Sequence, residues 1–518
     1  MEIKRLLEGI RILETRNGNE EKEVTKVTVD SRAAGDGALF VAIKGHYRDG
    51  HSFLPSVDEA GASAAVVETF DEGIALPQYR VENAREALSK LCDTFYGSPS
   101  KAMGVVGITA TNGKTTTTYM LDSIYQEAGF KTGVFGSVRI KVGDEHIASS
   151  MTTPDASDIH RYFSIMKEKG IEKVSMEVSS SSLEQYRVND VDFDIVAFNN
   201  FSREHIDQHG TFEKYFEAKS SLITKAKEKT FAVLNLDDDY AKSLVDKTRA
   251  KVVTYSVKDR SADISCGRYD LEAGKPVLEV IIKEDIAGIS GTVKKGSFMV
   301  NLGVPGYHSI TNALSVISIA LIDGVPVEAI QAGLKHFTGV ERRFQYVYDR
   351  EFIIIDDHFA NSSNIDVTLE NLVKLEYNRL HLVYAIRGNR GTTVNRENLE
   401  TLLRWKDRLK LDEVIGTKSL GLVTEKDTVM EEELAVYHET LKDSGLKVLV
   451  EDRLEDAIAY ALGTVAEGDI ILLAGSQGMD YGAQIALEQI HEKNTEIPEK
   501  ELFRPLKDRT LVLDKEKR

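Results

Sequence analysis

The chain has almost no cysteine: two residues, Cys92 and Cys266, in 518. Neither stands in a CxxC or Cys/His neighbourhood, so a disulfide scaffold and a thiolate metal site are excluded and both read as small core residues. A reducing cytoplasm is the expected compartment. Basic residues are in deficit, 65 against 83 acids. That balance argues against non-specific nucleic-acid binding and suits a soluble enzyme. It does not exclude anionic ligands, because phosphate sites are local and built largely from backbone N–H groups. Long apolar runs are also missing. None approaches the roughly 18 residues of a membrane helix, so no membrane insertion is expected. The opening "MEIKRLLEGIRILETRNGNEE" is charged throughout, without an apolar signal core. There is no low-complexity segment and no internal repeat.

What is present is enough hydrophobic sequence, 42%, for several ordinary cores, and a length that suggests about three domains. Residues 1–98 form the first: "KVTVDSRAAGDGALFVAIKG" alternates like strands, and "YGSPS" reads as a linker. Residues 99–338 follow, with short apolar strands in "KAMGVVGI", "KTGVFGS", "KVSMEVS", "FDIVAFNN", "FAVLNL" and "KVVTYS", and helical segments between several of them. In "DASDIHRYFSIMKEKG", Ile159, Phe163 and Met166 share one helical face. Strands alternating with helices predict a mostly parallel sheet covered on both faces. Residues 262–304 read as a small antiparallel excursion. Residues 339–518 alternate strand and helix again, from "EFIIIDD" to "DIILLAG", with a charged and peripheral tail after about 493. The fold class is therefore α/β: a small first domain, a central parallel-sheet domain of P-loop type and a C-terminal Rossmann-like domain.

The chemistry concentrates in "GVVGITATNGKTTTTYM", residues 104–120. The strict P-loop pattern places four residues between its first glycine and the Gly-Lys pair. Here Gly107 stands five residues ahead of that pair, so the pattern fails by one. The context still holds: a buried strand, a turn of small residues, a lysine, two threonines and a helix. In that turn (Thr111, Asn112, Gly113, Lys114, Thr115, Thr116) backbone N–H groups would face a phosphate, Lys114 would supply a point charge and Thr115 a hydroxyl for Mg2+. A glycine turn with a solvated lysine is the structural alternative.

Other segments qualify by position. Glu177 ends a strand of the same sheet, where ligand crevices form and a carboxylate can hold Mg2+. "SSMTTPDASD" suits a helix start or a second substrate contact. His205 and His209 are four apart, but no HExxH pattern or third ligand accompanies them, so zinc is not expected. Alone, Lys219 reads as a surface lysine, and Asn235 as a helix cap or an adenine contact.

Together, "GITATNGKTTTT", "TTPDA", "MEVSSSSLEQYRV", "NNFSREHIDQHGTFEKYFEAK", "NLDDDY" and "GVERRF" resemble the Mur ligases, the ATP-dependent amide-forming enzymes of peptidoglycan-precursor synthesis. "DSRAAGDGALFVAIKGHYRDGHSF" resembles the uridine-nucleotide-binding domain of the MurE-like type. The resemblance covers residues 28–345 strongly and the rest weakly. It implies that a carboxylate of a UDP-linked peptide attacks the γ-phosphate of ATP, and that the amine of an amino acid attacks the resulting acyl phosphate. It implies that Lys114 holds the phosphates and that Thr115 and Glu177 hold one Mg2+. A second Mg2+ would sit on His205 and on Lys219, carried as a carbamate. Ser31, Thr152, Thr153, Ser179, Gln185 and Arg187 resemble contacts to the UDP-linked substrate. Asn235, Asn312, Arg343 and Asp357 resemble contacts to ATP. The implied enzyme is a cytoplasmic monomer.

The sequence also departs from the family pattern. Ala110 stands where a glycine is usual, and Ser181 where MurE-like enzymes carry histidine. The D-Y-x-H-x-P segment appears as "IDDHFANSS", with Ala360 and Ser362 at the histidine and proline positions. G-G-D-R-D appears as "RGNRG", keeping Arg390 but with Asn389 for an aspartate. "EVIGTKSLG" stands where diaminopimelate-adding enzymes carry D-N-P-R, and "AGSQGMDYG" replaces G-x-G-H-E. The donor side thus reads as MurE-like and the acceptor side does not. A divergent branch is implied, such as the archaeal pseudomurein peptide ligases or a Mur-like ligase for another carboxylate. Two other readings are a catalytically weakened nucleotide-binding scaffold, and a folylpolyglutamate synthase-like enzyme, which would not need the first domain.

Overall fold

The structure is a computed structural model that describes residues 1–45, 48–149, 151–202, 210–271, 275–359, 361–389, 391–507 and 509. By contacts the chain divides into two compact units. One comprises residues 1–267, 280–298 and 311–333; the other comprises 268–279, 299–310 and 334–518. The predicted α/β class is observed in both.

The first unit opens with a five-stranded sheet: β1 (Glu14–Arg16), β2 (Lys26–Thr28), β3 (Ala38–Val41), β4 (Ala64–Val67) and β5 (Gln78–Arg80), in the order β1-β5-β4-β3-β2. Only β1 runs antiparallel to its neighbour. The alternation expected of this region does not persist: β3 and β4 are buried at every residue. Parallel strands covered on both faces bury both sets of side chains, and the covering layers supply the partners. One cover is the helix Ala84–Phe95, started by Asn83, whose side chain accepts from the N–H groups of Arg85 and Glu86. It presses Ala84, Ala87, Leu88, Leu91 and Cys92 against the sheet.

The second sheet carries the phosphate turn. Its parallel part is β6 (Gly104–Thr109), β7 (Thr132–Phe135), β10 (Lys173–Glu177), β11 (Ile195–Phe198), β12 (Phe231–Asn235) and β13 (Lys251–Ser256). The spatial order is β13-β12-β11-β6-β10-β7, continued by antiparallel β8 (Arg139–Val142) and β9 (Glu145–Ala148). β6 lies between β10 and β11, with Glu177 beside Ile108 and Phe198 beside Thr109. The chain after β6 crosses β10 to reach β7, whereas β11 lies on the other side. The carboxyl ends of β6, β10 and β11 therefore meet at a switch point, the place such sheets bind ligands. The excursion after β13 differs from expectation at its start. The strand Ile264–Asp270 pairs parallel with β13, the strands Val277–Ile282 and Gly296–Asn301 continue the same sheet, and the short pair Ile286–Ala287 and Thr292–Val293 forms a separate antiparallel ribbon.

In the second unit six strands follow the order Gln345–Asp349, Ile353–Asp357, Ile470–Gly475, Leu380–Ala385, Leu411–Thr417, Lys447–Glu451. All neighbours are parallel except the first pair. The tail expected to be peripheral is partly built in. Leu502 joins the core. The guanidinium of Arg509 is buried and donates to Asp356 Oδ2 at 2.5 Å and Gln345 Oε1 at 2.6 Å. Arg342 approaches the other oxygen of Asp356 and also bonds Asp480 and the Gly475 carbonyl. The buried carboxylate of Asp356 needs that charge, and a charged-looking tail supplies it.

Candidate functional site

The turn after β6 is held in shape from three directions. Asn200 clamps it: the Thr111 N–H donates to the Asn200 carbonyl at 3.0 Å, and the Asn112 N–H donates to Asn200 Oδ1 at 2.9 Å. Asn200 Nδ2 returns a bond to the Asn112 carbonyl at 2.9 Å. Gly113 caps the helix Lys114–Glu127 with φ of +86°, a conformation that suits glycine. Asn312 abuts it so closely that a Cβ on Gly113 would stand 2.8 Å from Asn312 Oδ1. The alanine departure costs nothing here, because the left-handed residue of the turn is Gly113 and Ala110 has no positive φ. The Ala110 carbonyl instead receives two lysines, Lys114 Nζ at 2.7 Å and Lys219 Nζ at 2.6 Å. Lys219 is 1% exposed, so the surface-lysine reading is corrected: its helix, Phe212–Thr224, turns it inward behind the turn.

Glu177 is wholly buried at the end of β10. Thr115 Oγ1 donates to its Oε2 at 2.9 Å. The Ser137 N–H donates to Oε1 at 2.7 Å, and Ser137 Oγ to Oε2 at 3.1 Å. Burial raises this carboxyl above the usual range, while the Ser137 N–H, the charge of Lys114 and the hydroxyls of Thr115 and Ser137 draw it down. A hydroxyl and a buried carboxylate that meet at the start of a phosphate turn fit Mg2+, which takes few protein ligands and completes its shell with phosphate oxygens and water. Among the described residues no group of three or more His, Cys, Asp or Glu gathers as an alternative metal cluster.

Of the residues expected to contact the UDP-linked substrate, all but Ser31 assemble beside Glu177. Ser137 Oγ, whose one proton goes to Glu177, accepts from Thr152 Oγ1 at 3.1 Å. Thr153 Oγ1 donates to the Glu177 carbonyl at 2.9 Å and accepts from the Ser179 N–H at 3.0 Å. Ser179 caps the short helix Ser180–Glu184, whose second residue is the departing Ser181. Arg187 donates to the Thr153 carbonyl at 2.8 Å and to Gln185 Oε1 at 2.9 Å. Asn235 joins through Asn199, donating to its carbonyl at 2.8 Å, while Asn199 binds Thr117 and Ser315. Ser31 starts the turn after β2 and takes part in none of these bonds. His205 and His209, with Arg390 and Ala360, lie outside the described residues.

In the second unit Asp357 ends the strand Ile353–Asp357. Burial pushes its carboxyl up to about 6, against the Thr368 hydroxyl, the Phe344 N–H and the charge of Arg343. His358 next to it is driven down to about 3 by burial and by Arg342, Arg343 and Arg387. The altered "RGNRG" segment is a pinned loop. Glu433 accepts from the N–H groups of Asn389 and Gly391 at 2.8 and 3.0 Å, and Asn395 binds both backbone groups of Arg387. Asn389 has φ of +51°, a conformation asparagine tolerates.

Sequence reasoning missed Ser137, Asn199 and Asn200. Ser137 closely follows the end of the strand read in "KTGVFGS", on the sheet that carries Glu177, so the strand-end rule would have found it. The two asparagines carry no such signal, because their role depends on which turn β11 lies beside.

A doubly wound sheet with a phosphate turn and a buried hydroxyl–carboxylate pair at its switch point defines a nucleotide-dependent phosphoryl-transfer enzyme. The comparisons narrow the class. The Mur ligase middle domain matches residues 108–320, the glutamate ligase domain of Mur ligases residues 342–477, and the Mur ligase catalytic domain residues 23–96. The UDP-N-acetylmuramoyl-L-alanyl-D-glutamate–2,6-diaminopimelate ligase of Caldanaerobacter subterraneus subsp. tengcongensis is 33% identical over 487 residues, covering 92% of this chain and 94% of that protein. A solved structure of an enzyme of the same description superposes with a TM-score of 0.66 at 21% identity, covering 95% of this chain and 99% of that one. Folylpolyglutamate synthase of Mycobacterium tuberculosis, complexed with ADP, reaches 0.53 at 17% identity and covers 76% of this chain. The chain belongs to the Mur ligase family, the ATP-dependent, ADP-forming peptide ligases of cell-wall precursor synthesis.

Proposed function

We propose that this Mur ligase joins an amino acid to the terminal carboxylate of a UDP-linked peptide. The observation that carries the reading is one continuous chain of hydrogen bonds, Thr115–Glu177–Ser137–Thr152, running from the phosphate turn to the donor-side residues. Two reactants must meet at that junction, and alignment is the main work of such an enzyme. The turn Thr111–Thr116 binds the phosphates of ATP through backbone N–H groups, and Lys114 leaves the Ala110 carbonyl to meet the β- and γ-phosphates. The donor carboxylate attacks the γ-phosphorus and ADP departs, leaving an acyl phosphate. The acceptor amine then attacks the acyl carbon, and phosphate leaves as the amide forms.

Thr115 and Glu177 would hold one Mg2+, with His205 and carbamylated Lys219 holding a second. These ions would neutralise charge on the transferring phosphoryl oxygens. Two observations support the carbamate: Lys219 is buried, and a second lysine shares its carbonyl partner. CO2 adds to the neutral amine of a lysine, so the carbamate would form on the deprotonated Lys219. Asn235, Asn312, Arg343 and Asp357 are assigned to ATP; Ser31, Thr152, Thr153, Ser179, Gln185 and Arg187 to the donor. The domain borders at 98/99 and 338/339, a cytoplasmic setting and a monomeric enzyme complete the reading.

The test is phosphate release with UDP-N-acetylmuramoyl-L-alanyl-D-glutamate, the donor named for the relatives, across an amino-acid panel. Release should require ATP, donor and one acceptor together; absence across the panel refutes the reading. Lys219→Ala should abolish turnover and recover part of it with added formate or acetate. No recovery with ATP affinity intact refutes the carbamate.

A further inference from the structure

Beside Thr153 two cations converge on a single neutral atom. Arg187 Nη2 donates to Gln185 Oε1 at 2.9 Å, and Arg85 Nη1 donates to the same oxygen at 3.2 Å. Arg85 comes from the helix Ala84–Phe95 of the first sheet's layer, Arg187 from the segment after β10. Arg85 Nη2 donates besides to the Lys44 carbonyl at 3.4 Å. Arg187 also donates to the Thr153 carbonyl and Met151 Sδ, and its Nε lies 3.1 Å from Asp155 Oδ1. The one carboxylate of this group pairs with Arg187, and Arg85 has no acidic partner among the described residues.

Like charges held on one carbonyl repel, and in a part-buried place water screens them weakly. The Arg187 side chain is 13% exposed. Burial and the neighbouring Arg85 both disfavour its charged form, against Asp155. An oxyanion with two free oxygens would relieve this, since each guanidinium offers a planar fork of N–H donors suited to carboxylate or phosphate. The place suits an anionic donor. Thr153 connects Arg187 to the Glu177 carbonyl, so the pair stands a few bonds from where the reacting carboxylate must lie.

We propose that Arg85 is a donor-binding residue, forming with Arg187 a two-guanidinium clamp for an oxyanion of the UDP-linked substrate. The inference rests on the donor reading above and adds to it a residue from the first sheet's layer, so that one anion ties that layer to the strand end bearing Glu177. The oxyanion comes either from the pyrophosphate or from a non-reacting carboxylate of the peptide.

The test is calorimetric binding of UDP, and separately of UDP-N-acetylmuramoyl-L-alanyl-D-glutamate, to the full chain and to Arg85→Gln and Arg85→Lys. Loss of a charge-assisted pair should weaken the Arg85→Gln complex about 10- to 100-fold and flatten its salt dependence, with ADP affinity unchanged. Arg85→Lys, which keeps the charge but not the fork, should fall between, and it replaces Arg85→Gln should that variant misfold. Weakening of both ligands assigns the pyrophosphate; weakening of the UDP-peptide alone assigns the peptide carboxylate. Wild-type affinity and salt slope in both variants, where the wild type binds the UDP-peptide, overturn the clamp and leave the donor reading standing. A wild type that binds neither ligand overturns both.

Discussion

Gly113→Ala tests whether the phosphate turn is preformed by its one left-handed residue. Gly113 has φ of +86° and caps the helix Lys114–Glu127. A non-glycine residue in that region costs about 1–2 kcal/mol. The added Cβ would also stand 2.8 Å from Asn312 Oδ1 and 3.2 Å from Nδ2. The Asn312 amide is the mobile end of a side chain, so it can turn aside at small cost, but it leaves the place assigned to an ATP contact. If the free turn relaxes away from the left-handed form, nucleotide binding must restore it. The backbone cost alone then predicts affinity for ATP lowered about 5- to 30-fold. Calorimetry with ATP and Mg2+ reads this directly. Gly113→Asn should regain part of the loss, because asparagine tolerates the conformation better. Combining Gly113→Ala with Asn312→Ala separates strain from collision: a steric origin makes the double variant bind better than the sum of the singles. Gly113→Ala with wild-type affinity and an unchanged melting temperature would refute the preformed turn.

Glu177→Gln keeps one of the two acceptor oxygens that Thr115 and Ser137 use and removes the charge, so phosphate release should fall at least about 100-fold while ADP still binds without Mg2+; near-normal turnover would exclude the metal-holding role. A pH effect follows from His358, whose folded value of about 3 lies below its ordinary 6.5. A depressed histidine contributes stability above its unfolded value and loses it as pH falls. The shift predicts a loss of about 2 kcal/mol between pH 7 and 5. Asp357, raised to about 6, acts oppositely, contributing stability at low pH that is lost as pH rises through that value. His358→Gln should therefore resist acid better than wild type between pH 7 and 5, and parallel melting curves would end the argument. Arg509→Met leaves Asp356, which is 0% exposed, with Arg342 as its remaining cation, and should cost about 3 kcal/mol in urea unfolding; an unchanged midpoint would show that Arg342 suffices.

Much of the site was legible because it lies at strand ends. The turn before Lys114 and the carboxylate at Glu177 stand at the ends of short apolar runs, and in a parallel sheet those ends converge; Thr152 and Thr153 were legible as a helix start and through the family resemblance. Lys219 was legible only through the family resemblance. Its local sequence is that of a surface helix, and its burial follows from where Phe212–Thr224 packs. Arg85 was passed over because it sits in an ordinary amphipathic helix whose visible logic is the apolar face behind Leu88 and Leu91. The tail misled for a similar reason: charge usually marks solvent, and nothing local announces that Arg509 meets a buried Asp356.

The sequence by itself determined the α/β class and the turn of small residues that sets a lysine and threonines between a buried strand and a helix, because periodicity and turn chemistry are local properties. The departures in "RGNRG" and "AGSQGMDYG" were visible there too. Only the tertiary structure decided the partners. It set Lys114 and Lys219 on one carbonyl, Ser137 between Glu177 and Thr152, and Arg85 against Arg187. Those pairings join residues from 15 to 109 positions apart, and strand order and helix packing bring them together.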